Sequence, residues 1–338
     1  MTLGRAPART RNVARPLLQV GLLAACTACG GTLDAGADRA PEGLPVGAEN
    51  PVILLNDGSR DNWHGEYALL LARMGGPPLA GIVVGASGGW FDLEANLNGW
   101  KELVSAARAS GLESVPEPVR GATQPLRRPA DERVESTIAN ASQGARFIVD
   151  TSLQLARPGR PVVVASGAPL TDVAAAYLLD PTVVDRVVVV GSLGSGFSED
   201  RQVAVMGAPN GELDPWASAI VIQKFRYVQV SAHYDQLNDV PAERVAELPD
   251  NDFGVWMAAK RADIFALRVA ADQVSVIALG IPEFTRDFVR VSQSGWESEI
   301  PTLAPDLEGN VWLVTESDGA AATNRLWQML LDPATFAL

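Results

Sequence analysis

Short, nearly uninterrupted aliphatic runs alternate along this chain with longer stretches in which apolar residues recur at three- and four-residue spacing. The runs at residues 51–55, 79–85, 161–165, 183–191, 227–231 and 310–315 read as strands. The stretches at residues 66–74, 93–109, 141–156, 170–178, 215–225 and 253–279 read as helices. A strand with no polar face needs cover on both sides, so the alternation predicts an α/β domain with a mostly parallel central sheet flanked by helices. No repeat, low-complexity segment or long polar linker divides residues 49–338, which predicts one domain. In such sheets ligands bind at the carboxyl ends of strands. That rule points to the segment after the first run, where Asn56, Asp57, Asp61, Asn62, His64 and Glu66 fall within eleven positions.

The N-terminus departs from this pattern. Arg5, Arg9, Arg11 and Arg15 form a basic lead, a short apolar stretch follows at residues 17–25, and no acidic residue precedes Asp34. The stretch is too short to span a bilayer as an anchor. Leu23-Ala24-Ala25-Cys26 resembles the bacterial lipobox. That resemblance implies a signal peptide over residues 1–25, a lipid anchor on Cys26 and a place in the bacterial cell envelope, facing the periplasm or exterior. Residues 26–48, rich in Gly, Ala and Pro, then read as a flexible tether.

Charge narrows the choice of partners. The 338 residues hold 27 basic and 40 acidic side chains, a net of −13, and loss of residues 1–25 removes four arginines and no acid, giving 23 − 40 = −17. Nucleic acid binding needs a basic footprint, and beyond Arg127-Arg128 no such cluster stands out, so no nucleic acid partner is expected. A neutral solute or a cation suits this field better. The two cysteines, Cys26 and Cys29, both lie near the N-terminus, which leaves the folded body without disulfide or thiolate chemistry.

Residues 56–62 would form the loop at the carboxyl end of the first strand. Asp57, Asp61, Asn62 and Glu66 offer the carboxylate and amide oxygens that hard cations such as Ca²⁺ take. The alternative on spacing alone is a helix N-cap at Asp61 with the other polar groups facing water. His64 and His233 are not at zinc-pair spacing.

Further motifs decide between these readings by resemblance. Asp57-Gly58-Ser59-Arg60-Asp61-Asn62 and Ala68-Leu69-Leu70-Leu71-Ala72 resemble the D-x-D-P-G-x-D-D motif and following helix of the inosine-uridine preferring nucleoside hydrolases. The stretch from Val119-Arg120-Gly121-Ala122 to Pro125-Leu126 resembles that family's P-V-x-x-G-A-x-x-P-L. Gly167-Ala168-Pro169-Leu170-Thr171-Asp172, continuing to Asp180-Pro181, resembles G-P-L-T-N and its following D-P. Asn210 through Asp214-Pro215 resembles N-x-x-x-D-P, and Asp272-Gln273-Val274 through Pro282-Glu283-Phe284 resembles H-D-P-L-A through P-E-L-F. The resemblance covers roughly residues 51–335 and implies a divergent member of that family, with its Rossmann-like open sheet.

By resemblance, a Ca²⁺ ion would be held by Asp57, Asn62, the carbonyl of Gly167 and Asp272, with Glu66 as a compensating ligand. Asp57 would take a proton from the attacking water, and Asp61 and Asn210 would hold the substrate, with Trp90 a further substrate contact. The implied activity is N-glycosidase cleavage of a ribonucleoside or similar small N-glycoside, in an enzyme that can form homo-oligomers. Departures from the motifs are concentrated where sugar and base would lie: Ala86, Ala208 and Ala271 replace the family's Asn, Glu and His. They support the alternative of a non-catalytic envelope lipoprotein that keeps the fold and binds a ribosyl ligand or Ca²⁺.

Overall fold

The computed structural model describes residues 43–47, 49–57, 79–86, 92–194, 204–205, 209–230, 246–263 and 285–317, with four single positions beyond. They belong to a compact unit running from Gly43 to Leu338.

Among the described residues a ten-stranded sheet forms its centre, in the order β3-β2-β1-β4-β5-β7-β10-β8-β9-β6. β1 (Val52–Asn56), β2 (Leu79–Val84), β4 (Val162–Gly167), β5 (Val187–Gly191) and β7 (Arg226–Val230) are parallel neighbours, extended by β3 (Pro118–Arg120) on one side and β10 (Val311–Ser317) on the other. β8 (Thr285–Glu297), β9 (Ile300–Pro305) and β6 (Ala204–Val205) add an antiparallel wing.

The helices follow from apolar spacing and from caps. Asp92 caps α1 (Leu93–Ala109) by accepting from Ala95 N at 2.7 Å, and Ser142 caps α2 (Gln143–Leu155) by accepting from Ala145 N at 2.9 Å. α3 (Thr171–Leu179) follows β4, a single turn α4 (Pro209–Glu212) precedes α5 (Pro215–Lys224), and α6 (Asp252–Asp263) packs near α1. The expected strand at residues 183–191 begins later. Pro181–Asp185 instead form a 3₁₀ turn, because Asp180 accepts from Thr182 N and Pro181 fixes φ at its start. The expected helix at residues 66–74 lies outside the described residues, as do residues 264–279 of the last one.

Alternation along β1 assigns the two faces. Val52 and Leu54 point to the side covered by α1 and α6, where Trp100, Leu103 and Phe253 are buried. Ile53 and Leu55 point to the side covered by α2, α3 and α5, where Ile148, Val173 and Ile220 are buried. Each such side chain contributes roughly 1.5–3 kcal/mol by leaving water. The wing is fastened to this frame by an arginine lying against two indoles. Arg128 Cζ is 4.2 Å from the Trp296 ring centroid and 5.5 Å from that of Trp216, and the two rings stack at 6.1 Å. No helix among the described residues is long and apolar enough to cross a membrane.

Candidate functional site

Strand register brings the first expected ligands together. Asn56 pairs with Gly167 on β4 and with Val84 on β2, so Asp57, the end of β4 and Gly85-Ala86 meet at the carboxyl ends of three adjacent strands. The end of β1 is fixed from both sides: Trp100 Nε1 donates to Asn56 Oδ1 at 3.1 Å, and Gly85 N donates to Asn56 O at 2.9 Å. Asn96 Nδ2 in turn donates to Gly85 O at 3.2 Å. Asp57 is buried at this junction. Ser166 shapes the turn beyond β4, donating to Ala168 O at 2.8 Å and accepting from Ala168 N at 3.2 Å.

Of the expected metal ligands, Asp57 and Gly167 are thus placed on neighbouring strand ends, while Asn62, Glu66 and Asp272 lie outside the described residues. Asp61, Trp90 and Cys26 lie outside them too, as do His64, His233, Ala208 and Ala271. Asn210, expected to bind substrate, is buried in α4. Among the described residues no group of three or more His, Cys, Asp or Glu could hold a metal. The two donors in view, a carboxylate and a main-chain carbonyl, are hard oxygens of the kind calcium takes, two against the six to eight that such an ion needs.

Beside this junction the described residues enclose a cavity of about 200 Å³, walled by Gly85, Ala86, residues 122–125, Pro169, Thr171, Asp172 and Leu213. That is below the roughly 300–1,000 Å³ of pockets for drug-sized ligands and suits a group the size of a sugar. Ala86, which by the resemblance stands where the nucleoside hydrolases have Asn, puts an apolar methyl on its wall.

Two buried carboxylates without an expected role hold the wall. Both oxygens of Asp172 lie 3.0 Å from Ala122 N, and Ser142 donates its hydroxyl to Oδ1. The niche exists because Gly121 and Gly144 line it: a Cβ on Gly144 would lie 2.8 Å from Asp172 Oδ1, and one on Gly121 would be in closer conflict with Oδ2. At the other end of the wall Asp214 Oδ2 accepts from Leu126 N at 2.9 Å and from Thr171 Oγ1 at 2.6 Å, while its Oδ1 caps α5 through Ala217 N at 3.0 Å. Burial raises the pKa of both carboxyls, and the hydrogen bonds partly offset that. The sequence signal for Asp214 was Asp-Pro, an N-cap followed by proline at N1. For Asp172 it was the acid standing where G-P-L-T-N has an amide.

A third buried network lies under the loop after β5. Gln229 Oε1 accepts from Leu193 N at 3.1 Å and from the Tyr227 hydroxyl, and Nε2 donates to Gly194 O at 3.2 Å. Complete burial raises the Tyr227 pKa well above its ordinary value.

The sequence matches no protein-family model and no curated protein. Solved structures do match. A plant nucleoside hydrolase superposes with a TM-score of 0.61 at 16% identity, covering 85% of this chain and 99% of that one. The inosine-uridine preferring nucleoside hydrolase of Bacillus anthracis gives 0.58 at 15% identity, covering 83% and 99%. The type III effector protein XopQ, solved with adenosine diphosphate ribose, gives 0.57 at 12% identity, covering 86% and 96%. This chain has the nucleoside hydrolase fold.

Proposed function

We propose that the protein is a divergent N-glycosidase of the nucleoside hydrolase type, acting on a ribonucleoside or similar small N-glycoside. The observation that carries this reading is the register of β1 with β4 and β2, which sets buried Asp57 next to Gly167 at the same carboxyl edge of the sheet where Gly85 and Ala86 line a sugar-sized cavity. Asp57, the Gly167 carbonyl, Asn62 and Asp272 would hold a calcium ion, with Glu66 compensating for the charge that Asn62 lacks. A bound ion supplies Lewis-acid chemistry and lowers the pKa of water. Asp57 accepts the proton from the attacking water, and Asp61, Asn210 and Trp90 hold the substrate. Cys26 carries a lipid that keeps the domain at the bacterial envelope, facing the periplasm or exterior. A nucleoside panel assayed with calcium tests the activity; calcium binding with no base released from any member would sink it.

Ala86 on the cavity wall favours a second reading, in which the protein binds a ribosyl ligand and leaves it intact. The structural neighbour solved with adenosine diphosphate ribose supports a ribosyl ligand for this fold. Calorimetry with nucleosides and adenosine diphosphate ribose, followed by recovery of unchanged ligand, separates the two.

A further inference from the structure

At the end of the sheet opposite the cavity, three adjacent parallel strands each begin beside an arginine. Arg160 lies two residues before β4, Arg186 one residue before β5, and Arg226 opens β7. Arg157 closes the turn into β4, exchanging backbone hydrogen bonds with Arg160 at 3.0 and 2.9 Å. Between these elements lies a groove of about 320 Å³ whose wall includes Arg157, Gly159, Pro161, Asp185, Arg186 and Arg226. In a chain of net charge −13 this is a local reversal of sign.

Internal structure does not account for all of these arginines. Arg186 is satisfied by Asp180 at 2.7 Å, Thr182 at 2.8 Å and Ser152 at 3.2 Å. Arg157 Nη1 donates to the last carbonyls of the α2 segment, Gln154 O at 2.9 Å and Ala156 O at 2.7 Å, and its other nitrogens have no partner among the described residues. The Arg226 side chain, half-buried at the groove, and the exposed Arg160 side chain make no hydrogen bond or ion pair among the described residues. Arg157 and Arg226, which share the groove wall and keep guanidinium donors free among the described residues, match a phosphate, which such planar forks bind through paired N–H groups.

The path of the chain indicates where that phosphate comes from. Asn50 Nδ2 donates to Pro161 O at 2.7 Å and Val163 N donates to Pro51 O at 2.8 Å, so Asn50 and Pro51 enter the sheet next to the groove wall. Sixteen residues separate Gly43 from Cys26, and the seventeen steps of chain reach at most about 60 Å when fully extended. Leu153 in the last turn of α2 is 57% exposed and Leu179 at the end of α3 is 38% exposed, on helices that finish at this same end. Apolar side chains beside arginines suit the boundary between headgroups and acyl chains.

We propose that this groove takes the phosphate of an anionic membrane phospholipid, seating the amino ends of the strands on the bilayer and turning the cavity away from it. The source of the phosphate rests on the reading of Cys26 as a lipid anchor; the groove itself does not. Attraction to an anionic surface is on the order of fivefold in occupancy for each arginine.

The test uses the full-length protein purified from bacterial membranes into nanodiscs of phosphatidylcholine alone or mixed with phosphatidylglycerol. Hydrogen exchange in peptides spanning residues 156–162, 185–188 and 225–227 is expected to slow severalfold in the mixed discs, and residues 118–126 to stay unchanged. The Arg157→Glu/Arg226→Glu double variant is expected to lose the difference. Equal exchange in both discs, or protection that survives in the double variant, overturns the proposal. Inorganic phosphate giving the same protection in phosphatidylcholine discs would make the groove a free-anion site and overturn the headgroup assignment. Mass measurement of the mature N-terminus reports separately on Cys26: an unmodified cysteine sinks the anchor, and a protected groove would still stand.

Discussion

Thr171 donates its hydroxyl to Asp214 Oδ2 at 2.6 Å, while its neighbour Asp172 grips Ala122 N through both carboxylate oxygens. Through these two consecutive residues the start of α3 governs both ends of the cavity wall, since Asp214 in turn accepts from Leu126 N. A wall made of coil at residues 122–125 is thereby held by helix ends and not by its own secondary structure.

Asp214 is expected to be the more costly position to truncate. Asp214→Ala removes the α5 cap, worth about 1 kcal/mol, and leaves the Thr171 hydroxyl and Leu126 N–H buried without their acceptor, at about 1–3 kcal/mol each. A total loss of roughly 3–7 kcal/mol is expected in urea unfolding. Thr171→Val alone should cost about 1 kcal/mol. The double variant should fall short of additivity, because both changes break the same bond; strict additivity would show that the two side chains act independently.

Asp172 ties stability to pH. Desolvation raises its pKa from the ordinary 3.8, so between that value and the raised one the folded state keeps a proton that the unfolded chain has released. Its favourable contribution is therefore complete below the ordinary value and is lost as pH rises through the raised one. Asp214 acts in the same direction. Asp172→Asn, which restores the amide of the G-P-L-T-N motif, is expected to flatten this fall when unfolding midpoints are followed from about pH 4 to about pH 8. An unchanged slope would mean that Asp172 does not titrate in this range.

The parallel core was legible because its strands are buried on both faces and so are written in aliphatic runs, as in the four valines at residues 187–190. The antiparallel wing was not. β8 presents Asp287 and Glu297 to solvent and reverses into β9 with Ser298 at φ 60° in place of a glycine, so neither an apolar run nor a familiar turn pair marks it. At the site, Asp57 and Gly167 could be paired only by resemblance, since 110 residues separate them and the β1–β4 register alone brings them together. At Asp214 the Asp-Pro pair marks a helix cap, and at Asp172 an acid stands where the motif has an amide, but neither signal names the distant Leu126 N–H and Ala122 N–H that these carboxylates hold.

The niche for Asp172 makes a sharp demand on Gly144. A Cβ there would lie 2.5 Å from Val83 Cγ1 and 2.8 Å from Asp172 Oδ1. Although alanine favours helices over glycine by about 1 kcal/mol, Gly144→Ala is expected to destabilise by about 1–3 kcal/mol through overpacking. It should also loosen the cavity wall, seen as faster hydrogen exchange at Ala122. A more stable Gly144→Ala protein would show that the niche can widen without loss.

Asp57 separates a working hydrolase from a binding protein that kept its fold. In the proposed role of proton acceptor and cation ligand, Asp57 is expected to lower kcat by roughly 10²–10⁴-fold when changed to Asn, and Asp57→Ala should weaken calcium binding as well. The Asn variant keeps an oxygen for the cation and a side chain of the same shape next to Gly167, so its calcium affinity should fall much less than its turnover. Stopped-time assays of base release on the best substrate of a nucleoside panel, paired with calcium titration of both variants, measure the two effects separately. If Asp57→Asn binds a ribosyl ligand as the unaltered protein does, and neither protein releases base, Asp57 has a binding role without proton transfer. The cavity beside Ala86 would then be a receptor for intact ligand.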